Sequence, residues 1–283
     1  MYPTLLPATI GLLTVFAFPV ACQDDDYHRT LNIVAHHDDD LLFLNPEIMQ
    51  DIDVGRGVQT LFLTAGDAGL DSEYWTGRQS GALAAYARMA GVDDDWTESS
   101  LDIPDRDISL YTLVDQDDIS LIFLRLPDGS ADGNGFANTG NESMEKLWKS
   151  AIPEIRSVDE SGMTYTRDAL IDTIAWIIDD YDPHAVNTLN YLDDFGTGDH
   201  SDHTAGALFA NEAAIQSSFD GTVTAYIGYE SSDLPPNVMG EELEVKKAAF
   251  YSYAGYDPAG CTSDQSCSGT AYERWLQREF PRD

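Results

Sequence analysis

Four of the six histidines fall in two tight groups, Ala35-His36-His37-Asp38-Asp39-Asp40 and Asp199-His200-Ser201-Asp202-His203. Imidazole nitrogens and carboxylate oxygens are the donors of a catalytic zinc site, which takes three protein ligands and keeps one position for water. A further carboxylate beside the ligands is what metal-assisted hydrolysis needs, as the base that takes a proton from that water. The plainer alternative is a pair of solvated loops. Asp39 or Asp40 would then cap a helix over residues 41–49, and capping needs no metal. Two such groups, both at the ends of apolar runs, favour the metal.

Those apolar runs set the architecture. Residues 31–35, 58–64, 119–126, 186–190 and 222–229 read as strands, buried enough to be mostly parallel. Helical spacing covers residues 77–89, 168–181, 204–218 and 241–252. Strands alternating with helices predict one α/β domain over residues 23–283. It is Rossmann-like, with a mostly parallel sheet and helices on both faces. In such sheets ligands bind outside the carboxyl ends of the strands. Both His/Asp groups, and the Gly66–Gly69 turn with Asp67, fall there.

The residues now carry a resemblance. Ala-His-His-Asp-Asp-Asp is similar to the Ala-His-Pro-Asp-Asp-Glu motif of the PIG-L/LmbE-like zinc-dependent N-acetylglucosamine deacetylases. His-Ser-Asp-His resembles that family's second motif, His-x-x-His. The likeness continues through Leu63-Thr-Ala-Gly-Asp67, through Gly77-Arg78 and its Ala-rich helix, and through Arg125-Leu-Pro-Asp-Gly129. It runs from about residue 30 to beyond 220. The resemblance implies a Zn2+ held by His36, Asp39 and His203, with Asp38 as general base. It implies that His200 faces the substrate carbonyl, oriented by Asp202, and donates to the oxyanion or, if protonated, to the leaving amine. Arg78 and Asp67 are the implied substrate-binding residues. Two departures stand out: His37 replaces proline, offering an extra ligand or proton carrier, and Asp40 replaces glutamate.

The implied reaction is hydrolysis of the acetamide of an N-acetylated sugar or glycoconjugate, with a bell-shaped pH–rate profile. Another N-acyl substrate would use the same machinery. A non-catalytic carbohydrate-binding relative is the remaining alternative, and the intact His36, Asp38, Asp39, His200 and His203 weigh against it.

Composition narrows the partners. The chain has 50 acidic and 15 basic residues, a net charge of −35. That excludes a nucleic-acid partner, since the phosphate backbone would be repelled. The acidity fits either adaptation to high salt or an ordinary acidic secreted protein. Residues 1–22 read as a signal peptide, with an apolar stretch too short to make a transmembrane segment. Either a peptidase cuts near Ala21 or Cys22 and releases the chain to the exterior, or Cys22 takes a lipid anchor at the cell envelope. Cys261 and Cys267 bracket a polar loop and predict a disulfide. The run Asp128-Gly-Ser-Ala-Asp132-Gly-Asn134 has part of a calcium-loop pattern but lacks its final glutamate, so it reads first as an active-site rim. Tyr74, Trp75 and Trp96 either stack on sugar rings or pack in the core.

Overall fold

The computed structural model describes residues 28–282; the expected signal peptide and Cys22 lie outside them. The strands are β1 (Arg29–Val34), β2 (Gly57–Thr64), β3 (Trp96–Ser100), β4 (Ser109–Leu113), β5 (Ile119–Leu126), β6 (Ile155–Arg156), β7 (Thr164–Tyr165), β8 (Ala185–Leu189), β9 (Thr222–Tyr226) and β10 (Pro281–Arg282). The helices are α1 (Asp39–Phe43), α2 (Glu47–Asp53), α3 (Ser72–Ala90), α4 (Met144–Trp148), α5 (Arg167–Tyr181), α6 (Ser201–Gln216), α7 (Gly240–Ala254), α8 (Asp264–Cys267) and α9 (Ala271–Leu276). None of these helices is long and apolar enough to cross a membrane.

Alternation along the strands builds a sheet buried on both sides. Leu31 and Ile33 of β1, Leu61 and Leu63 of β2, and Ile122 and Leu124 of β5 face one core, closed by α4, α5 and α6. Val58 and Phe62 of β2, with Leu121 and Phe123 of β5, face the other, closed by α1, α2, α3, α7 and α9. The side-chain period of two makes each strand serve both cores. The helices begin where their sequences cap them. Asp71 accepts from the Tyr74 amide at the start of α3, and Thr166 from the Ala169 amide at the start of α5.

The main sheet runs β10-β9-β8-β1-β2-β5-β4-β3. The five central strands are parallel, and the outer pairings β9–β10, β5–β4 and β4–β3 are antiparallel. From β1 the chain steps outward through β2 to β5, then returns to β8 on the other side of β1. The order reverses between β1 and β8, and that is where such sheets bind ligands. Both His/Asp groups leave these two neighbouring strands.

The expected strands and helices are present, with shifted ends. α3 begins at Ser72, five residues before the Gly77 start read from the sequence. β9 stops at Tyr226, because the chain turns into a 3-10 helix over Tyr229–Asp233. The β3–β4 hairpin escaped the sequence reading: four of the five residues of β3 are exposed and polar.

Candidate active site

Just past β1 the backbone amide of His36 donates to Oδ2 of Asp39 at 2.6 Å, which curls the chain into α1. Asp38 occupies the N-cap position of that helix, yet its side chain makes no capping bond. Its Oδ1 instead accepts from Arg78 Nη2 at 2.6 Å. Asp39 and Asp40, the expected caps, lie inside α1, with Asp39 bonded to the His36 amide and Asp40 to the Tyr86 hydroxyl, so neither caps the helix.

Each of the three nitrogens of Arg78 donates to protein. Nη1 donates to the Gly66 carbonyl at 2.7 Å and Nε to the Tyr253 hydroxyl at 2.6 Å, with Asp257 Oδ2 3.2 Å away. Gly66 is required here: its φ is +55°, and a Cβ would lie 2.3 Å from Arg78 Nη1. Arg78 is expected to bind substrate. The structure shows it lining the cleft with each nitrogen bonded to protein, Nη2 to Asp38.

The second group wraps the amino end of α6. His200 is the N-cap, and its Nδ1 accepts from the Asp202 amide at 3.1 Å. A ring nitrogen that accepts an N–H carries no proton, so the hydrogen sits on Nε2, facing the cleft 3.9 Å from Asp128 Oδ1. His203, one turn into the helix, is fully buried. Its Nδ1 donates to Asp199 Oδ1 at 2.7 Å, which leaves Nε2 toward Asp39 Oδ1 at 2.9 Å. That close pair is not aligned as a hydrogen bond, and Nε2 has no hydrogen-bond partner. Asp39 Oδ1 also lies 3.4 Å from His36 Nδ1.

These residues meet the requirements of a metal centre. His36, His200 and His203, all buried, bring ring nitrogens within 4.8 Å of one another, and Asp39 lies against two of them. The outer partners are in place as well: Asp199 on His203, and Asp202 Oδ2 at 3.4 Å from His36 Nε2. Carboxylates on the far ring nitrogens fix the tautomers of metal-binding histidines.

The electrostatics agree. Burial opposes charge on His203, yet Asp199 and Asp39 outweigh it and push its pKa up to about 10. Burial likewise opposes ionisation of Asp39, but His203 and His36 hold it well below the usual carboxylate range. The constellation thus calls for positive charge at Nε2 of His203, from a proton or from a metal that displaces it. Burial raises the Asp38 carboxyl; Arg78 pulls it back without cancelling the shift. Burial, with His36 and His203 nearby, lowers His200 to about 3.

Other expectations need correction. Asp67 does not line the cleft. It is buried, and its carboxylate accepts from the amides of Asp128 and Gly69, so it shapes the loop that carries Asp128. Asp202 orients His200 through its backbone amide; its carboxylate accepts from the Gly129 amide at 2.7 Å and faces His36. His37 lies outside the cleft and outside the His/Asp groups that could hold a metal. Its ring is wholly buried, 5.2 Å from Phe62 and 5.4 Å from Phe123. Of the Asp128–Asn134 run only Asp128 lines the cleft, while Asp132 and Asn134 are exposed and bond each other. That is the rim reading. Cys261 and Cys267 are joined as a disulfide. Tyr74 lines the cleft, Trp75 is buried, and Trp96 packs on the core.

The sequence reading gave Asp199 no role of its own, although it stands four residues before His203, and gave Asp128 a rim position only. It missed Tyr253, Asp257 and the rings of Tyr229, Tyr272 and Trp275, which come from chain distant in sequence and carried no local signal.

An α/β sheet with a buried His/Asp centre at its switch point defines the class. The chain belongs to the PIG-L family, described as GlcNAc-PI de-N-acetylase, whose family model matches residues 31–214. No curated protein matches it. Among solved structures it is similar to N,N'-diacetylchitobiose deacetylase from Pyrococcus horikoshii, at 15% identity and TM-score 0.51, covering 89% of this chain and 76% of that one. A deacetylase of the teicoplanin biosynthesis pathway shares 16% identity at TM-score 0.49, covering 87% and 89%. The 4-carboxy-2-hydroxymuconate hydratase from Pseudomonas putida shares 12% identity at TM-score 0.48, covering 88% and 82%. At 15% identity the likeness to the chitobiose deacetylase shows the fold alone.

Proposed function

We propose that the protein is a zinc-dependent hydrolase that removes the N-acetyl group from an N-acetylated amino sugar or glycoconjugate. The observation that carries this reading is Asp38, a carboxylate outside the ligand set, held by Arg78 at the lip of the His36–Asp39–His203 centre. Family membership supports the reaction class.

His36, Asp39 and His203 would hold the zinc, which when bound lowers the pKa of a water and polarises the acetamide carbonyl. Asp38, ionised and pinned by Arg78, takes the proton of the attacking water as the C–O bond forms. His200 offers Nε2–H to the carbonyl oxygen as negative charge grows there. The C–N bond then breaks, acetate leaves, and the proton taken by Asp38 passes to the departing amine. Asp38 thus acts first as base and then as acid.

The reading extends to location. A signal peptide over residues 1–22 and the Cys261–Cys267 disulfide support an oxidising compartment outside the cytoplasm. Incubation with acetylated amino sugars tests the function: the products should have lost one acetyl group each by mass spectrometry. A chelator should abolish the loss, and added zinc should restore it. Full turnover by metal-free protein would contradict the reading.

A further inference from the structure

The cleft, about 500 Å3, has two unlike walls. One is the metal-centre wall of His36, Asp38, Asp39, Asp128 and His200. The other comes from chain beyond the family match, which ends at residue 214. It consists of Tyr229 and the stretch from Asp257 to Trp275.

The second wall is built rigidly. The Cys261–Cys267 disulfide closes its loop, and Asp257 accepts from the Tyr253 hydroxyl at 2.7 Å and from the Ala259 amide at 2.9 Å. Trp275 stacks on Tyr229, with ring centres 4.7 Å apart and planes at 17°. Its indole N–H also donates to the Tyr229 carbonyl at 3.1 Å. Tyr272 stands edge-on to Trp275, 5.5 Å away, and packs on Phe250. All three rings are half-buried and line the cleft. Around them lie the small polar residues Ser266 and Thr270. Half-buried aromatic rings beside a few hydroxyls match a pyranose ring, which has apolar C–H faces and a polar rim.

Charge narrows the occupant further. Among the described residues that line the cleft, Arg78 is the one Lys or Arg, and each of its three nitrogens already donates to protein, at Asp38, Gly66 and Tyr253. Against it stand Asp38, Asp39, Asp128 and Asp257. A phosphodiester wants free guanidinium or ammonium donors. This cleft offers it carboxylates.

We infer that the disulfide-braced wall is a subsite for a second, uncharged sugar ring, glycosidically linked to the residue that is deacetylated. The substrate is then a neutral oligosaccharide of at least two residues, not a lone amino sugar or a phosphoinositol conjugate. This rests on the deacetylase reading and adds the identity of the aglycone.

The zinc-loaded full chain tests it with N-acetylglucosamine, its β-1,4-linked dimer and trimer, and N-acetylglucosaminyl phosphoinositol. The kcat/KM should rise about tenfold or more from one residue to two, chiefly through KM. The phosphoinositol conjugate should gain nothing over the single sugar. Tyr272→Ala should collapse the dimer-to-monomer ratio toward one, while Tyr272→Phe, which keeps the ring, retains it. Equal kcat/KM for monomer and dimer, or preference for the phosphoinositol conjugate, would overturn the inference. Tryptophan fluorescence titration of Asp38→Asn with the same sugars reads binding without turnover. A dimer bound about tenfold tighter than the monomer supports the subsite even if nothing is deacetylated, in which case only the reaction is wrong. Equal affinities overturn the subsite even where turnover is observed.

Discussion

Asp199 and His203 stand four residues apart, and the carboxylate of the first accepts a 2.7 Å hydrogen bond from Nδ1 of the second. Asp199 also accepts from the amides of His200 and Tyr229, so the contact belongs to a fixed corner of the fold. It turns Nε2 of His203 toward Asp39 and makes that nitrogen more basic. Asp199→Asn keeps an acceptor but loses the charge. Zinc affinity should fall about 10–100-fold, read by competition with a chromophoric chelator. Unchanged affinity would deny Asp199 its part in the centre.

Arg78 distinguishes a positioning role from a substrate-binding one. Arg78→Lys keeps a cation but cannot reach Asp38, Gly66 and Tyr253 together. We expect kcat to fall about 10- to 100-fold with zinc content and KM little changed, the usual cost of a displaced catalytic group. A substrate-binding arginine would instead raise KM at constant kcat. Arg78→Met should also destabilise the fold by about 3–5 kcal/mol, because it strands two buried carboxylates. Chemical denaturation measures that.

His200 is expected to act as a neutral donor. The Asp202 amide occupies its Nδ1, and burial with two neighbouring histidines keeps its pKa near 3. His200→Ala should lower kcat about 10²–10³-fold, the worth of one oxyanion donor. The basic limb of the pH–rate profile should survive the change. Loss of that limb would show that His200 carries a proton into the reaction as imidazolium.

Lys246 links pH to stability away from the centre. It is fully buried in α7, and its Nζ donates to the carbonyls of Leu42, Asn45 and Arg278, tying the end of α1 to the carboxyl-terminal segment. Burial pulls its pKa down to about 7, with Glu279 pushing back. An unfolded lysine holds its proton to about pH 10.4. Between pH 7 and 10 the unfolded chain therefore binds more protons than the fold, and stability should rise with pH at up to about 1.4 kcal/mol per unit. Below pH 7 both states hold the proton and this contribution is flat. Denaturant midpoints across that window should slope upward for the wild type and lose the slope in Lys246→Met. Equal slopes would contradict the assignment.

The sequence made legible what local pattern controls. The parallel strands show as short apolar runs, and the candidate metal-binding residues as His/Asp groups at strand ends, because both signals span few residues. Asp38 could be read as a candidate base, but not its partner, since Arg78 lies on α3 and reaches Asp38 only through the packing of α3 against α7. Asp67 misled for a related reason. A carboxylate in a glycine turn satisfies backbone amides as readily as it faces a ligand. The aromatic wall was illegible: Tyr229, Tyr272 and Trp275 are brought together by the disulfide loop and by α9, and nothing in their spacing announces a shared surface.

The adjacent aspartates Asp38 and Asp39 face different partners. Asp39 contacts both His203 and His36, whereas Asp38 turns away to Arg78. Zinc content after dialysis, measured side by side for Asp38→Asn and Asp39→Asn, tests it most directly. Asp38→Asn should retain close to one zinc per chain while its rate falls about 10²–10⁴-fold. Asp39→Asn should lose the metal, since a neutral amide is a weaker ligand than a carboxylate. An Asp38→Asn protein stripped of zinc beside a zinc-loaded Asp39→Asn protein would contradict the assignment outright.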